Sequence, residues 1–207
     1  FHETKNFVSG QGGCISINNK SLLKRADYVL DKGTNRRKFI KNFKTTIIKS
    51  FQVKNYYSWV DVGSEYRAHE IPCALLYSQL ENSEIIQRKR KLIWKKYKKL
   101  FKKINSKEIT LIEPIKNTVS SYHLLVLIFH KINIANNFKK FLHYKKIAAT
   151  FHYIPLHNSR MGKTYCKKKL PITENIYKRV VRLPFFSTMT EKEFSKIKKS
   201  IEQFFYH

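Results

Sequence analysis

Phe1-His2-Glu3-Thr4-Lys5-Asn6 opens the chain and leads through Ser9-Gly10-Gln11-Gly12-Gly13 into the short apolar stretch Cys14–Ile17. Lysine, glycine-rich turn and strand, in that order, suit an amine that must hold a fixed position beside a planar ligand. Glycines there let backbone approach closely. Taken alone the run reads first as a surface turn, because lysine and glycine are common turn neighbours. The residues beyond Ile17 decide between the two.

Working outward, Cys14–Ile17 is expected as a strand entering a turn at Asn18-Asn19. Ser21 is expected to cap a helix through Leu30, with Leu22, Leu23, Ala26, Val29 and Leu30 on one face and Gly33 as its stop. Residues 37–60 read as a long basic and aromatic loop with some strand. A long helix is expected from about Glu70 to Ile104 with a break near Asn82, since Pro72 is tolerated only in a first turn. Ile86, Ile93, Tyr97, Leu100, Phe101 and Ile104 form its apolar stripe. Beyond it, strand-like runs at Ile109–Ile112, Tyr122–Phe129 and Ala148–Tyr153 interleave with helices at Ile134–Tyr144, Glu174–Arg182 and Thr190–Phe205. Thr190 and Glu193 make a capping box for the last. Strands alternating with helices give an α/β layer with a small sheet.

Bulk properties narrow the classes. The 207 residues carry 42 basic and 14 acidic side chains, net +28, which ordinarily points to nucleic acid or an anionic surface. Abundant Lys, Asn, Ile, Phe and Tyr with scarce Gly and Pro also mark a chain drifting under AT-rich coding, and the basic run Lys89–Lys103 reads as a solvated helix face. Trp94 and Tyr97 among those lysines are the one feature favouring a base-stacking surface. No apolar run reaches the eighteen or so residues of a membrane span. Cys14, Cys73 and Cys166 form no Cys-x-x-Cys pair, so reduced thiols are expected. The start at Phe1 rather than Met reads as a fragment without a secretory leader.

In order, the stretches FHETKN (Phe1–Asn6), GQGG (Gly10–Gly13), KGTNR (Lys32–Arg36), WVDVGSEY (Trp59–Tyr66), SQLE (Ser78–Glu81), FHYIPLH (Phe151–His157) and RLPFF (Arg182–Phe186) resemble the nucleotide-sugar aminotransferases of the DegT/DnrJ type. These belong to aspartate-aminotransferase fold type I, and the resemblance is nearest to dTDP-4-amino-4,6-dideoxygalactose transaminase. FHETKN and FHYIPLH carry most of the specificity. The resemblance implies the C-terminal half of such an enzyme. Residues 1–66 would be the end of the large pyridoxal-phosphate-binding domain, and 67–207 a long linking helix and the small C-terminal α/β domain.

It also implies roles. Lys5 would form the Schiff base with pyridoxal 5'-phosphate and shuttle the proton, and His2 would be a relay or substrate contact, with a purely structural role as its alternative. Ser64 and Glu65 would approach the cofactor across a dimer interface. Arg36, His152, Tyr153 and His157 would contact substrate, although Arg36 also reads as an ordinary solvated arginine. Two histidines five apart, His152 and His157, lack a third ligand at sensible spacing, so no metal is expected. The implied donor is L-glutamate and the acceptor a dTDP-4-keto-6-deoxyhexose. The implied setting is a cytoplasmic homodimer, or an assembly with a complementing N-terminal half, serving cell-envelope polysaccharide synthesis of the enterobacterial common antigen type.

Departures from the family pattern are equally legible. Gln11 stands where the glycine-rich turn usually has an acid. Glu65 replaces a small polar residue near the cofactor phosphate, where an unpaired carboxylate would be repelled. Pro72 replaces an ordinary helix former, and the loop between Arg36 and Trp59 is long. The groups that the family uses for the pyridine nitrogen, the ring face and the phosphate precede the lysine and are not in this sequence, so the chain alone is expected to bind cofactor poorly. An inactive remnant is therefore the competing expectation, with a nucleic-acid-binding module behind it.

Overall fold

A computed structural model describes residues 1–38, 57–166 and 168–206. The expected loop over 37–60 lies largely outside them. The chain divides into two compact units, Phe1–Glu81 and Asn82–His207, so the expected boundary at 66/67 falls inside the first.

In the first unit, α1 spans Lys20–Leu30. Its cap is Asn19 rather than Ser21: the Asn19 Oδ1 accepts from the Ser21 backbone at 3.0 Å and from its hydroxyl at 2.8 Å, satisfying a donor of the first turn. The helix ends where Asp31 and Gly33 both donate their N–H to the Tyr28 carbonyl, at 3.1 and 2.8 Å. Gly33 has φ +75°, a conformation glycine alone adopts without strain. Helix α2 spans Glu70–Glu81, and Pro72 sits in its first turn, where a missing N–H removes no helical bond. Neither helix has a buried residue. The strand expected at Cys14–Ile17 does not form, and Ile15 is 80% exposed. A strand needs neighbours for its backbone groups, and none of the described residues pairs with it.

The second unit begins with α3, Ser83–Ile104. The single long helix is thus interrupted at Asn82, as its sequence indicates. Of the expected apolar stripe, Ile93, Tyr97, Leu100, Phe101 and Ile104 lie in the core, Ile86 is only half-buried, and Trp94 joins the core beside them. Trp94 and Tyr97 therefore present no stacking surface. Strands β1 (Ile109–Leu111), β2 (Leu125–Phe129) and β3 (Val180–Leu183) form an antiparallel sheet in the order β1-β2-β3. Leu125, Leu127 and Phe129 point to the core while Val126 and Ile128 face away, the period of two that a strand imposes.

Helix α4 (Ile132–Tyr144) and the C-terminal helix (Glu191–Tyr206) complete the core with α3. Phe138 packs against Phe129, Phe204 and Phe205 with ring centroids 5.0–5.7 Å apart. Burying each such side chain is worth about 1.5–3 kcal/mol. Arg90 is buried too. Its Nε donates to the Tyr122 carbonyl at 2.7 Å and its Nη2 to that of His123 at 2.6 Å.

Two expectations are corrected here. The strand at Ala148–Tyr153 reduces to one bridge, Thr150 to Arg182, with N–O distances of 3.1 and 2.7 Å. The helix expected over Glu174–Arg182 starts earlier and stops sooner. After a short helical turn α5 (Gly162–Tyr165), α6 spans Pro171–Arg179, and Val180–Leu183 becomes β3. Two successive β-branched valines fit a pleated surface better than a helix, and they pair with Ile128 and Leu127. The C-terminal helix, α7, has the expected capping box: Thr190 N–H donates to Glu193 Oε2 at 2.8 Å, and Glu193 N–H to Thr190 Oγ1 at 3.2 Å. No described helix is long and apolar enough to cross a membrane. The three cysteines are free.

Candidate active site

Each unit holds part of the expected site. In the first, Lys5 ends a turn closed by its own N–H, which donates to the His2 carbonyl at 2.9 Å. Ser9 N–H donates to the Phe1 carbonyl at 2.8 Å, and His2 bridges Gly10 in parallel. Ser9 is buried at the base of this loop and donates its hydroxyl to the Gln11 carbonyl at 2.6 Å, while the Lys5 side chain is exposed at the tip. Gly10 and Gly12 have φ +81° and +130°, and a Cβ on Gly10 would meet nothing within 4 Å. The backbone there is open to an approaching group.

His2 turns its ring into this same loop, where Nδ1 accepts from the Thr4 backbone at 3.4 Å. The segment after Lys5 has a clamp that sequence reading missed. Val8 N–H donates to Gln79 Oε1 at 3.0 Å and the Gln79 amide returns a bond to the Val8 carbonyl at 2.6 Å. Gln79 belongs to the SQLE stretch. Only its amide chemistry hinted at such a part, because nothing in the sequence ties position 79 to position 8.

KGTNR and WVDVGSEY pack on each other. Val60 and Asp61 donate their N–H to the Gly33 carbonyl, Lys32 N–H to Ser64, and Ser58 N–H to the Asn35 side chain. Glu65 is not a lone carboxylate. Lys32 Nζ lies 2.5 Å from one oxygen and Arg67 Nε 3.7 Å from the other, and the bond to Lys32 holds its pKa below the usual glutamate range. Asp31 is 2% exposed and pairs with Arg67 Nη2 at 2.9 Å, leaving its Oδ1 buried without a partner. Arg36 is exposed, its guanidinium 6.0 Å from the Tyr57 ring centroid. Ser64 is exposed as well.

In the second unit His152, Tyr153 and His157 lie on the segment between β2 and β3, where His152 and Tyr153 touch each other and His157 faces Glu174. Arg182, from β3, directs Nη1 at His152 Nδ1. Arginine has no acceptor, so in this contact the guanidinium donates to the imidazole ring. The Tyr153 ring packs at 67° on His152, centroids 3.7 Å apart. His157 is nearly buried and its Nε2 lies 3.2 Å from Glu174 Oε1, which also accepts from the Leu170 N–H at 3.0 Å. These contacts, the backbone one foremost, keep the Glu174 pKa low. Glu174 and Arg182 are positions that the sequence did not single out for this site. Among the described residues, no group of three His, Cys, Asp or Glu side chains is placed to hold a metal.

Over residues 1–202 the sequence matches the DegT/DnrJ/EryC1/StrS aminotransferase family. This chain belongs to that family. It is 26% identical to an uncharacterised protein of Methanocaldococcus jannaschii over 98% of its own length and 52% of the relative's. It is 23% identical to the UDP-4-amino-4,6-dideoxy-N-acetyl-beta-L-altrosamine transaminase of Helicobacter pylori over 97% of its length and 50% of the relative's. It thus spans about half the length of the curated relatives it matches. In structure it is similar to the PMP form of Spr1654 from Streptococcus pneumoniae, with a TM-score of 0.80 at 19% identity, covering 100% of this chain and 52% of that one. The fold is therefore the α/β fold of these aminotransferases, represented in part.

Aminotransferases of the DegT/DnrJ/EryC1/StrS family depend on pyridoxal phosphate, and Spr1654 has been solved in both PLP and PMP forms. The opening turn fits the aldehyde end of this cofactor in its chemistry: Lys5 is an exposed primary amine, and the same loop holds Gly10, whose surroundings are open. The one acid at the positions expected near the phosphate, Glu65, has its charge matched by two cations.

Proposed function

We propose that the protein carrying this chain transfers the amino group of L-glutamate to the 4-keto group of a dTDP-linked 6-deoxyhexose, as a dTDP-4-amino-4,6-dideoxygalactose transaminase does. Such an amino sugar serves cell-envelope polysaccharides of the enterobacterial common antigen type. The observation that carries the reading is the Lys5 amine, held at the tip of a turn whose base is buried. Family membership supports it, as does a relative named for a nucleotide-linked 4-amino-4,6-dideoxy sugar.

When bound, pyridoxal phosphate supplies an electrophilic carbonyl and an electron-withdrawing ring. Lys5 is the residue that would hold it, and Lys5 Nζ would carry the proton between the donor's Cα and the carbon that the cofactor's carbonyl supplies. His2 steadies that turn through Nδ1 and offers its other nitrogen to substrate. Ser64 would donate its hydroxyl to the cofactor phosphate across a dimer interface, and Glu65, charge-matched by Lys32, would not oppose it. The His152 ring and the exposed Tyr153 hydroxyl would meet the sugar, while His157 fixes their segment onto α6 through Glu174. Arg36 would face a carboxylate or phosphate. The remaining parts of the pocket would come from a second copy or from the other half of the fold.

A second reading, an inactive remnant, rests on Gln11 in place of the turn's usual acid. Of the other departures, Pro72 and Glu65 are accommodated by the first turn of α2 and by Lys32, and the long loop lies largely outside the described residues. One experiment separates the two. In an assembly that supplies the other half of the relatives' length, borohydride reduction with pyridoxal phosphate should fix a pyridoxyl group on Lys5. Peptide mapping that finds no label at Lys5 removes the catalytic reading and leaves family membership untouched.

A further inference from the structure

Within the second unit an open groove of about 500 Å³ lies where the end of α4 meets the N-terminal half of α7. Lys145, Lys192, Lys196 and Lys199 line it together with Ser195 and Ser200, and neither a carboxylate nor an aromatic ring does. None of these residues belongs to a stretch that carries the aminotransferase reading, so the chemistry of the groove is independent of it.

Regular structure aligns the charges. Lys192, Lys196 and Lys199 stand at i, i+4 and i+7 on one face of α7. At about 1.5 Å of rise per residue they mark a line of roughly 10 Å. The facing wall is Lys145, the C-cap of α4, whose N–H donates to the Phe141 carbonyl at 3.1 Å. Its Nζ lies 5.4 and 5.8 Å from the ring centroids of Phe141 and Tyr144. Ser200, 7% exposed, is the most buried residue of the lining. The acids nearest in sequence are engaged elsewhere. Glu193 accepts from the Thr190 N–H and hydroxyl, both at 2.8 Å, and Glu191 pairs with Lys96. Among the described residues, none of the four lysines forms an ion pair. Like charges at i and i+4 repel, and ammonium groups donate without accepting. Only an anion long enough to span the line can neutralise it as a whole.

We propose that this groove binds a condensed inorganic phosphate, a linear chain of linked phosphate groups. The α7 lysines follow the chain, Lys145 closes on it from α4, and the Ser200 hydroxyl donates to a phosphate oxygen at the floor. The lining selects against other anions. One orthophosphate would meet the nearest lysines and leave the rest of the line unpaired. A nucleic acid would need rings for its bases, and none lines the groove. A membrane surface would need an apolar face to insert, and that of α7 is turned into the core through Ile197 and Ile201.

The test titrates the 207-residue chain calorimetrically with tripolyphosphate in buffer free of divalent cations. Tripolyphosphate should saturate one site and bind about tenfold or more tighter than orthophosphate. The triple variant Lys192→Gln, Lys196→Gln, Lys199→Gln, which keeps helix propensity, should weaken it by about tenfold or more. Removing the same charge from α3 with Lys89→Gln, Lys91→Gln and Lys95→Gln, at exposed positions outside the groove, should change it by less than about threefold. Ser200→Ala, which removes no charge, should weaken it by about threefold. Absence of saturable binding overturns the proposal, and so do equal losses in the two triple variants, which would mean attraction to overall charge alone. A Ser200→Ala chain that binds normally overturns it as well. So does displacement of tripolyphosphate by oligothymidylate or by phosphatidylglycerol vesicles at lower phosphate concentration, which would assign the face to nucleic acid or to a membrane.

Discussion

At position 33 a side chain would begin 1.9 Å from the Asp61 carbonyl oxygen, on backbone at φ +75°. Gly33→Ala should therefore destabilise the first unit by about 1–3 kcal/mol or more. Faster amide exchange at Val60 and Asp61, whose N–H groups bond to the Gly33 carbonyl, is the measurement. That Gly33 ends a helix was legible from its place after an apolar face; that it also seats a returning chain was not, since Asp61 is distant in sequence. The His157–Glu174 pair was hidden for the same reason. Its sign can be stated. The folded-state pKa of Glu174 lies below its ordinary value through the Leu170 N–H and His157. The stabilisation is present above the unfolded-state pKa and is lost as pH falls through the depressed folded one. An NMR titration of the Glu174 carboxyl should show a midpoint below that of ordinary glutamate, and His157→Phe should move it upward. An unchanged midpoint in that variant would discard the pairing.

Among the elements, most helices and the strands β1 and β2 were legible from their own residues, whereas three segments whose state depends on one particular partner were not. The α3 stripe is self-declaring, because helical spacing and burial coincide at Ile93, Tyr97, Leu100, Phe101 and Ile104. The Thr190–Glu193 box is equally local. Thr190→Ala should cost about 1 kcal/mol, seen as a lower denaturant midpoint for the second unit with its m-value unchanged. Among the described residues, Cys14–Ile17 has strand composition but no neighbour to pair with, and Ala148–Tyr153 finds a partner only at Thr150. Val180–Leu183 went the other way: helical charge pattern ahead of it masked a segment that β2 recruits as a strand. The candidate site divides likewise. Lys5, His2 and the His152–His157 segment were visible as motifs, whereas Arg182, Glu174 and Gln79 enter it through tertiary contacts alone.

Among the described residues, the hydrophobic core lies in Asn82–His207. The first unit leaves Val62, Ile71 and Trp59 at 70% exposure or more and is held by backbone and charge contacts around Gly33, Asp31 and Glu65. Amide exchange should accordingly be slowest in β2 and α3 and faster throughout residues 1–81; equal protection in both units would contradict this. Val62, Ile71 and Trp59 thus give the first unit an exposed apolar surface. The Gln79 amide bears on how that surface behaves in a crowded solution. By occupying both the donor and the acceptor of Val8, it acts as a one-residue counterfeit strand. A foreign β-segment sliding along the chain beyond the lysine turn would find that rung already taken, and Gln79→Ala should uncover it as a seed for sticking.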